Sequence, residues 1–101
     1  MKMEINEQEI TFNIRYDMHQ DDWKELAEAL KLLPGFIGVE KTGDFFWLGK
    51  EEDEVYIKGK ITFIGFVIEA NLPDVVWSAW ILEFMEKASE ALGYEVTSIR
   101  D

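Results

Sequence analysis

One histidine, three serines and an abundance of carboxylates are the groups through which this chain could do chemistry. His19 lies in Asp17-Met18-His19-Gln20-Asp21-Asp22, a D-x-H-x-D-D cluster. Imidazole and carboxylate together suit a divalent ion. A zinc site needs further histidines or cysteines, and the chain has no second histidine and no cysteine. The same aspartates stand where a strand gives way to a helix. There Asp17 or a neighbour can cap, and Asp21 and Asp22 meet the positive end of the helix dipole. Capping is the expected role, and neither a metal nor another cofactor is expected.

Nucleophilic chemistry fares no better. Ser78 and Ser89 fall within a helical stretch and Ser98 lies near the end of the chain, so none sits on a strand-to-helix elbow. Carboxylate pairs are common only because the chain is acidic, and without a cleft they carry no acid–base assignment. The expectation is therefore a protein that is not an enzyme. Gly35-Phe36-Ile37-Gly38 has the G-x-x-G spacing that clamps a nucleic-acid backbone in KH domains. Here the inner residues are apolar and Pro34 precedes them, which reads as a helix stop followed by a strand start. No dinucleotide fingerprint or P-loop is present.

Binding is the better prospect. Glu51, Glu52, Asp53 and Glu54 are four successive carboxylates. They read as a charged hairpin tip, able to dock a basic surface by imitating a run of phosphates. Glu40, Asp44 and Glu69 would extend the patch if the sheet brings them near. Trp47 and Trp80 are interface anchors if exposed and core residues if not.

The whole-chain charge points the same way. Acidic residues number 21 against 10 basic ones, for a net charge of −11. Such an anion is repelled by nucleic acid and anionic membranes and attracted to a cationic partner. The 48% hydrophobic content excludes a disordered chain. Its 101 residues suffice for one domain, taken as residues 1–101. The absence of cysteine suits a reducing compartment. The opening residues lack the apolar stretch of a signal peptide, and no segment approaches the roughly 20 apolar residues of a membrane span. A cytoplasmic protein is expected.

The elements that would position these groups begin with Glu9–Asp17. Its alternation puts Ile10, Phe12, Ile14 and Tyr16 on one face and Thr11, Asn13 and Arg15 on the other, as in a half-buried strand. Trp23, Leu26, Ala27, Leu30 and Leu33 form one helical stripe, ended by Pro34-Gly35. Residues 36–50 read as strand with a turn or bulge at Thr42-Gly43. The chain returns through Val55–Lys58 to Ile61–Ala70, ITFIGFVIEA, the longest apolar run. Apolar on both faces, that run reads as a single central strand. Asn71-Leu-Pro-Asp74 opens a second helix that runs to Leu92 and Gly93. Its main buried face is Val76, Trp77, Trp80, Ile81, Phe84, Ala88 and Leu92. Val75, Ala79, Leu82 and Met85 fall off that face, so the first half wants cover on a second side. Tyr94–Arg100 reads as a short last strand.

This order predicts an α+β two-layer sandwich. Its topology would be βαββαβ, ferredoxin-like, with both helices on one sheet face. The open face would then carry Phe63 and Val67, joined by either Phe45 and Trp47 or Phe46 and Leu48. Such a patch asks for cover. The expected function is a non-catalytic, acidic protein-interaction domain of the inhibitor or immunity-protein kind, binding a basic partner. Trp47, Glu51, Glu52, Asp53, Glu54, Phe63, Val67 and Trp80 are the expected contact residues. The alternative is a homodimeric ligand-binding or regulatory domain, self-associating through the open sheet face or the second helix.

Overall fold

Alternating and helical apolar patterns give five strands and two helices. They are β1 (Asn6–Phe12), α1 (Gln20–Lys31), β2 (Phe36–Val39), β3 (Phe45–Trp47), β4 (Tyr56–Ile61), β5 (Phe66–Leu72) and α2 (Asp74–Leu92). The computed structural model describes residues 4–50 and 52–99. All neighbouring strands are antiparallel, in the order β1-β5-β4-β3-β2. The chain is thus α+β, with a meander from β2 to β5 and β1 laid beside its last strand.

The apolar run at residues 61–70 is two strands, not one. Ile61 closes β4, Phe66 opens β5, and the two pair across a turn of Thr62–Gly65. Thr62 makes that turn. Its N–H donates to the Gly65 carbonyl at 2.8 Å, and its hydroxyl donates to the same oxygen at 2.9 Å. The hydroxyl also accepts from the Ile64 and Gly65 N–H groups, each at 3.2 Å. A side chain that satisfies neighbouring backbone groups offers the chain an alternative to the sheet ladder.

The extra reversal changes the topology. The split βαβ order would set its first and third strands side by side and parallel, whereas here the neighbour of β1 runs antiparallel to it. The ferredoxin-like arrangement is therefore not formed. Nor is Tyr94–Arg100 a full strand. Ser98 alone bridges Phe12, supported by Asn13 N–H to Thr97 O at 3.0 Å and Ile99 N–H to Thr11 O at 2.8 Å. Arg100 lies outside the described residues.

Both helices cover the same sheet face. Phe12, Trp47, Ile57, Phe66, Ile68, Ala70 and Leu72 join Leu26 and Leu30 of α1, and Trp80, Ile81, Phe84 and Ala88 of α2, in one core. Its centre is aromatic. Phe45 stacks on Trp47 at 5.9 Å, Trp47 meets Trp80 edge-on at 4.9 Å, and Trp80 and Phe66 each stack on Phe84 at 5.9 Å. Each buried indole N–H has a partner, as a buried donor requires: Trp47 Nε1 donates to Leu30 O at 3.0 Å and Trp80 Nε1 to Pro34 O at 3.2 Å. These two bonds tie β3 to the end of α1, and α2 to the turn after it.

The other sheet face is charged rather than oily. Strand register puts Glu9, Glu69, Lys58, Phe46 and Gly38 in one row across all five strands. The row beside it sets Val67 between Thr11 and Lys60. Lys60 pairs with Glu69 at 3.3 Å and Lys58 with Asp44 at 3.7 Å. Phe46 is the large apolar member of this face and is 5% exposed. Lys50, whose ammonium reaches Glu40 at 3.2 Å, lines the depression around Phe46 with Glu40 and Asp44. No sheet-wide apolar patch stands open among the described residues. The expectation of an oily back fails because the turn at Thr62 removes Phe63 from the sheet, and because, of the pair left for this face, Phe46 is buried and Leu48 lies beside α2 instead.

Candidate functional site

The D-x-H-x-D-D cluster is a helix start. His19 is the N-cap of α1, and its Nδ1 accepts the Asp21 N–H at 3.1 Å. Asp17 turns the other way, to Arg15, which donates through Nε and a terminal nitrogen to its two carboxylate oxygens, both at 2.9 Å. This bidentate bond holds the Asp17 carboxyl below the ordinary carboxylate range and raises the Arg15 guanidinium. No three potential metal ligands converge among the described residues. Ser89 also has a local role, its hydroxyl accepting the Val96 N–H at 2.8 Å where the chain leaves α2. The Tyr94 hydroxyl donates to Asn13 O at 3.1 Å. Burial, with the charge of Asp22, raises that phenol above its ordinary value.

The expected contact residues are scattered. Trp47 and Trp80 are buried and cannot anchor a partner in this conformation, because the aromatic core encloses both. Phe63 is 85% exposed, but at the β4–β5 tip, where it meets Tyr16 edge-on at 5.0 Å. Ile64 stands beside it, also exposed. Val67 remains on the sheet, half-buried. Glu51 lies outside the described residues. Glu52 and Glu54 are exposed. Asp53 is exposed too, but its carboxylate accepts the Lys50 N–H at 2.8 Å and so fixes the turn. Glu40, Asp44 and Glu69 do not extend an acidic patch, since each is held by a lysine.

The uncompensated charge and the exposed apolar side chains meet elsewhere, on α2. Val75, Val76, Ala79 and Leu82 are exposed along its first half. Met85, expected with them, packs instead against the core. A groove runs beside this stretch, lined by Pro34, Leu48, Val75, Val76, Ala79, Trp80 and Glu83. Trp80 is thus a floor for the groove without being free of the core.

Leu48 forms part of the opposite wall in a left-handed conformation, at φ 66°. A leucine there carries roughly 1–2 kcal/mol of backbone strain. Its N–H donates to Gly35 O at 2.8 Å. Its side chain lies so close over Gly35 that a Cβ on that residue would strike it. Gly35 itself has φ 79°, a conformation that glycine adopts freely. Sequence reasoning located the second apolar side of α2 from the spacing of Val75, Ala79 and Leu82. It missed Leu48, because nothing in local propensity places a leucine at positive φ.

No family model, no curated protein and no solved structure matches this chain.

Proposed function

We propose that this chain is a non-catalytic, cytoplasmic, acidic protein-interaction domain that binds a basic protein, in the manner of small inhibitors and immunity-type proteins. The observation that carries the reading is the distribution of charge. On the sheet side Lys50, Lys58 and Lys60 each neutralise a carboxylate. On the helical side Glu25, Glu28, Glu83, Glu86 and Glu90 are exposed, and none has an ion-pair partner among the described residues.

An excess of −11 over 101 residues creates a negative field that draws cationic proteins and opposes nucleic acid and anionic membranes. Exposed apolar side chains beside such charge supply the short-range part of an interface, where long-range attraction alone gives little specificity. Among the described residues no helix is long and apolar enough to cross a membrane.

The test is affinity capture from the native cell with the tagged chain, followed by mass spectrometry and elution in a salt gradient. The reading predicts a retained protein with a basic surface, released by salt. Retention of only neutral or acidic proteins would contradict it.

One observation favours self-association as a second reading. β2, Phe36–Val39, is an edge strand with no charged residue and with Ile37 and Val39 exposed. Uncharged edges are open to pairing with another copy. Light scattering decides this, because a strict monomer at tens of micromolar removes it.

A further inference from the structure

The solvent side of α2 changes character halfway along the helix. Val75, Val76, Ala79 and Leu82 occupy its first half, and Glu83, Glu86 and Glu90 its second, all of them exposed. At 3.6 residues per turn the seven fall within an arc of about 120°, and they span about 22 Å of helix. The apolar part borders the groove whose far wall is Pro34 and Leu48. Lys87, half-buried, lies about 20° outside this arc and pairs with none of the three glutamates among the described residues, and the last turn of α2 has no basic residue. Glu90, in the last turn, is opposed by the helix dipole, and a cation brought against it relieves that opposition.

We infer that this face of α2 docks an amphipathic helix of the basic partner. One apolar side chain would seat in the groove between Leu48 and Val76, and lysines or arginines would lie against Glu83, Glu86 and Glu90. The inference rests on the reading of the chain as an acidic interaction domain, and it names the surface and the chemistry of the occupant. A cationic helix fits because both halves of the face are satisfied at once: apolar contact at one end, opposite charge at the other.

A second copy of this chain does not fit the same face. Two-fold pairing with the helices antiparallel lays Val75 and Ala79 of one copy against Glu86 and Glu90 of the other, which desolvates carboxylates without partners. Parallel pairing sets glutamate against glutamate, and like charges facing across an interface are strongly unfavourable.

The probe is a synthetic helix-forming peptide of about 16 residues, long enough to match the face. It carries leucines on one half of a single face and lysines on the other half. Its affinity is measured by calorimetry for the wild type and three variants, each first checked for fold by circular dichroism. They are Glu83→Lys/Glu86→Lys/Glu90→Lys, Val75→Ser/Leu82→Ser, and a control of equal charge change at the β1 edge of the sheet, Glu4→Lys/Glu7→Lys/Glu9→Lys. All the altered residues are exposed, so the fold should persist.

The inference expects each α2 variant to bind about tenfold more weakly, and the control to stay within about twofold of the wild type. It also expects amide shifts on peptide addition to concentrate at Val75–Glu90 and Leu48. A control that weakens binding as much as the α2 charge variant would show diffuse attraction. So would shifts centred on Phe63 and Tyr16 show a different surface. Either result overturns the inference and leaves the acidic-domain reading standing. If neither this peptide nor unstructured polylysine binds the wild type at low salt, the acidic-domain reading itself falls.

Discussion

The same substitution at two strand glycines should have opposite effects. Gly59 lies within β4, opposite Phe45 on one side and Ile68 on the other. A Cβ there would come within 2.8 Å of the Phe66 ring and 3.1 Å of the Trp47 ring. Those rings are held by stacking on Phe84 and Phe45, so they have little room to withdraw. Overpacking of this kind costs about 1–3 kcal/mol. Reduced freedom of the unfolded chain returns about 0.4–1 kcal/mol on replacing glycine by alanine. The net for Gly59→Ala is a loss of up to about 2.6 kcal/mol, centred on about 1.3 kcal/mol, or a fall in Tm of roughly 5–10 °C at that centre for a domain of this size. Gly38 is also in a strand, but a Cβ there meets nothing within 4 Å and its φ is ordinary. Only the unfolded-state effect operates, so Gly38→Ala should stabilise by about 0.4–1 kcal/mol. Urea unfolding followed by tryptophan fluorescence measures both. A Gly59→Ala protein that gains stability, as Gly38→Ala should, would refute the aromatic packing described for this core.

Other outcomes follow from the same geometry. Trp47→Ala removes a fully buried indole and its hydrogen bond to the Leu30 carbonyl, which keeps the Leu33 N–H, and denaturant unfolding should show a loss of about 3–5 kcal/mol. Phe63→Ser, at the exposed tip, should change stability by less than about 0.5 kcal/mol in the same assay. Carbon NMR titration should place the Asp17 carboxyl below the ordinary aspartate midpoint, and Arg15→Gln should return it. Its folded value is depressed, so the small stabilisation it gives is present above the ordinary carboxylate range and is lost as pH falls through the folded midpoint. Tyr94 is the opposite case, with a raised folded value. Its contribution is intact below the ordinary phenol midpoint and is lost as pH rises through the folded one, which ultraviolet titration of Tyr94→Phe against the wild type will show.

Much of this molecule is legible in its residues, and the failures have physical causes. Periodicity located α1 and α2 and the end of α2 at Leu92–Gly93, because long amphipathic stretches with breakers leave little choice. Of the alternation in Glu9–Asp17, Ile10, Phe12 and Ile14 lie toward the core, but Tyr16 is exposed and the strand itself ends at Phe12. The error at residues 61–70 arose because apolar composition measures burial and strand preference, not where a chain turns. The turn depends on one threonine hydroxyl satisfying three backbone groups, and two large apolar residues at the tip disguise it. That single turn takes Phe63 off the sheet, leaves the sheet's back charged and changes the topology. The tryptophans were ambiguous for a different reason. Trp47 and its neighbours are large on both faces, and only the register with β4 decides which of them lies under the helices. The second side of α2 was visible as Val75, Ala79 and Leu82. Its opposing wall was not, since it depends on a strained leucine over a distant glycine.

The central claim is that a negative field brings a basic protein to this chain. The direct test is the association rate of the captured partner, measured by stopped flow across a salt series from about 0.01 to 1 M, over which the Debye length shrinks from about 30 to about 3 Å. Steered association predicts a rate that falls at least about tenfold across the series, while dissociation changes far less. A rate indifferent to salt would contradict the account.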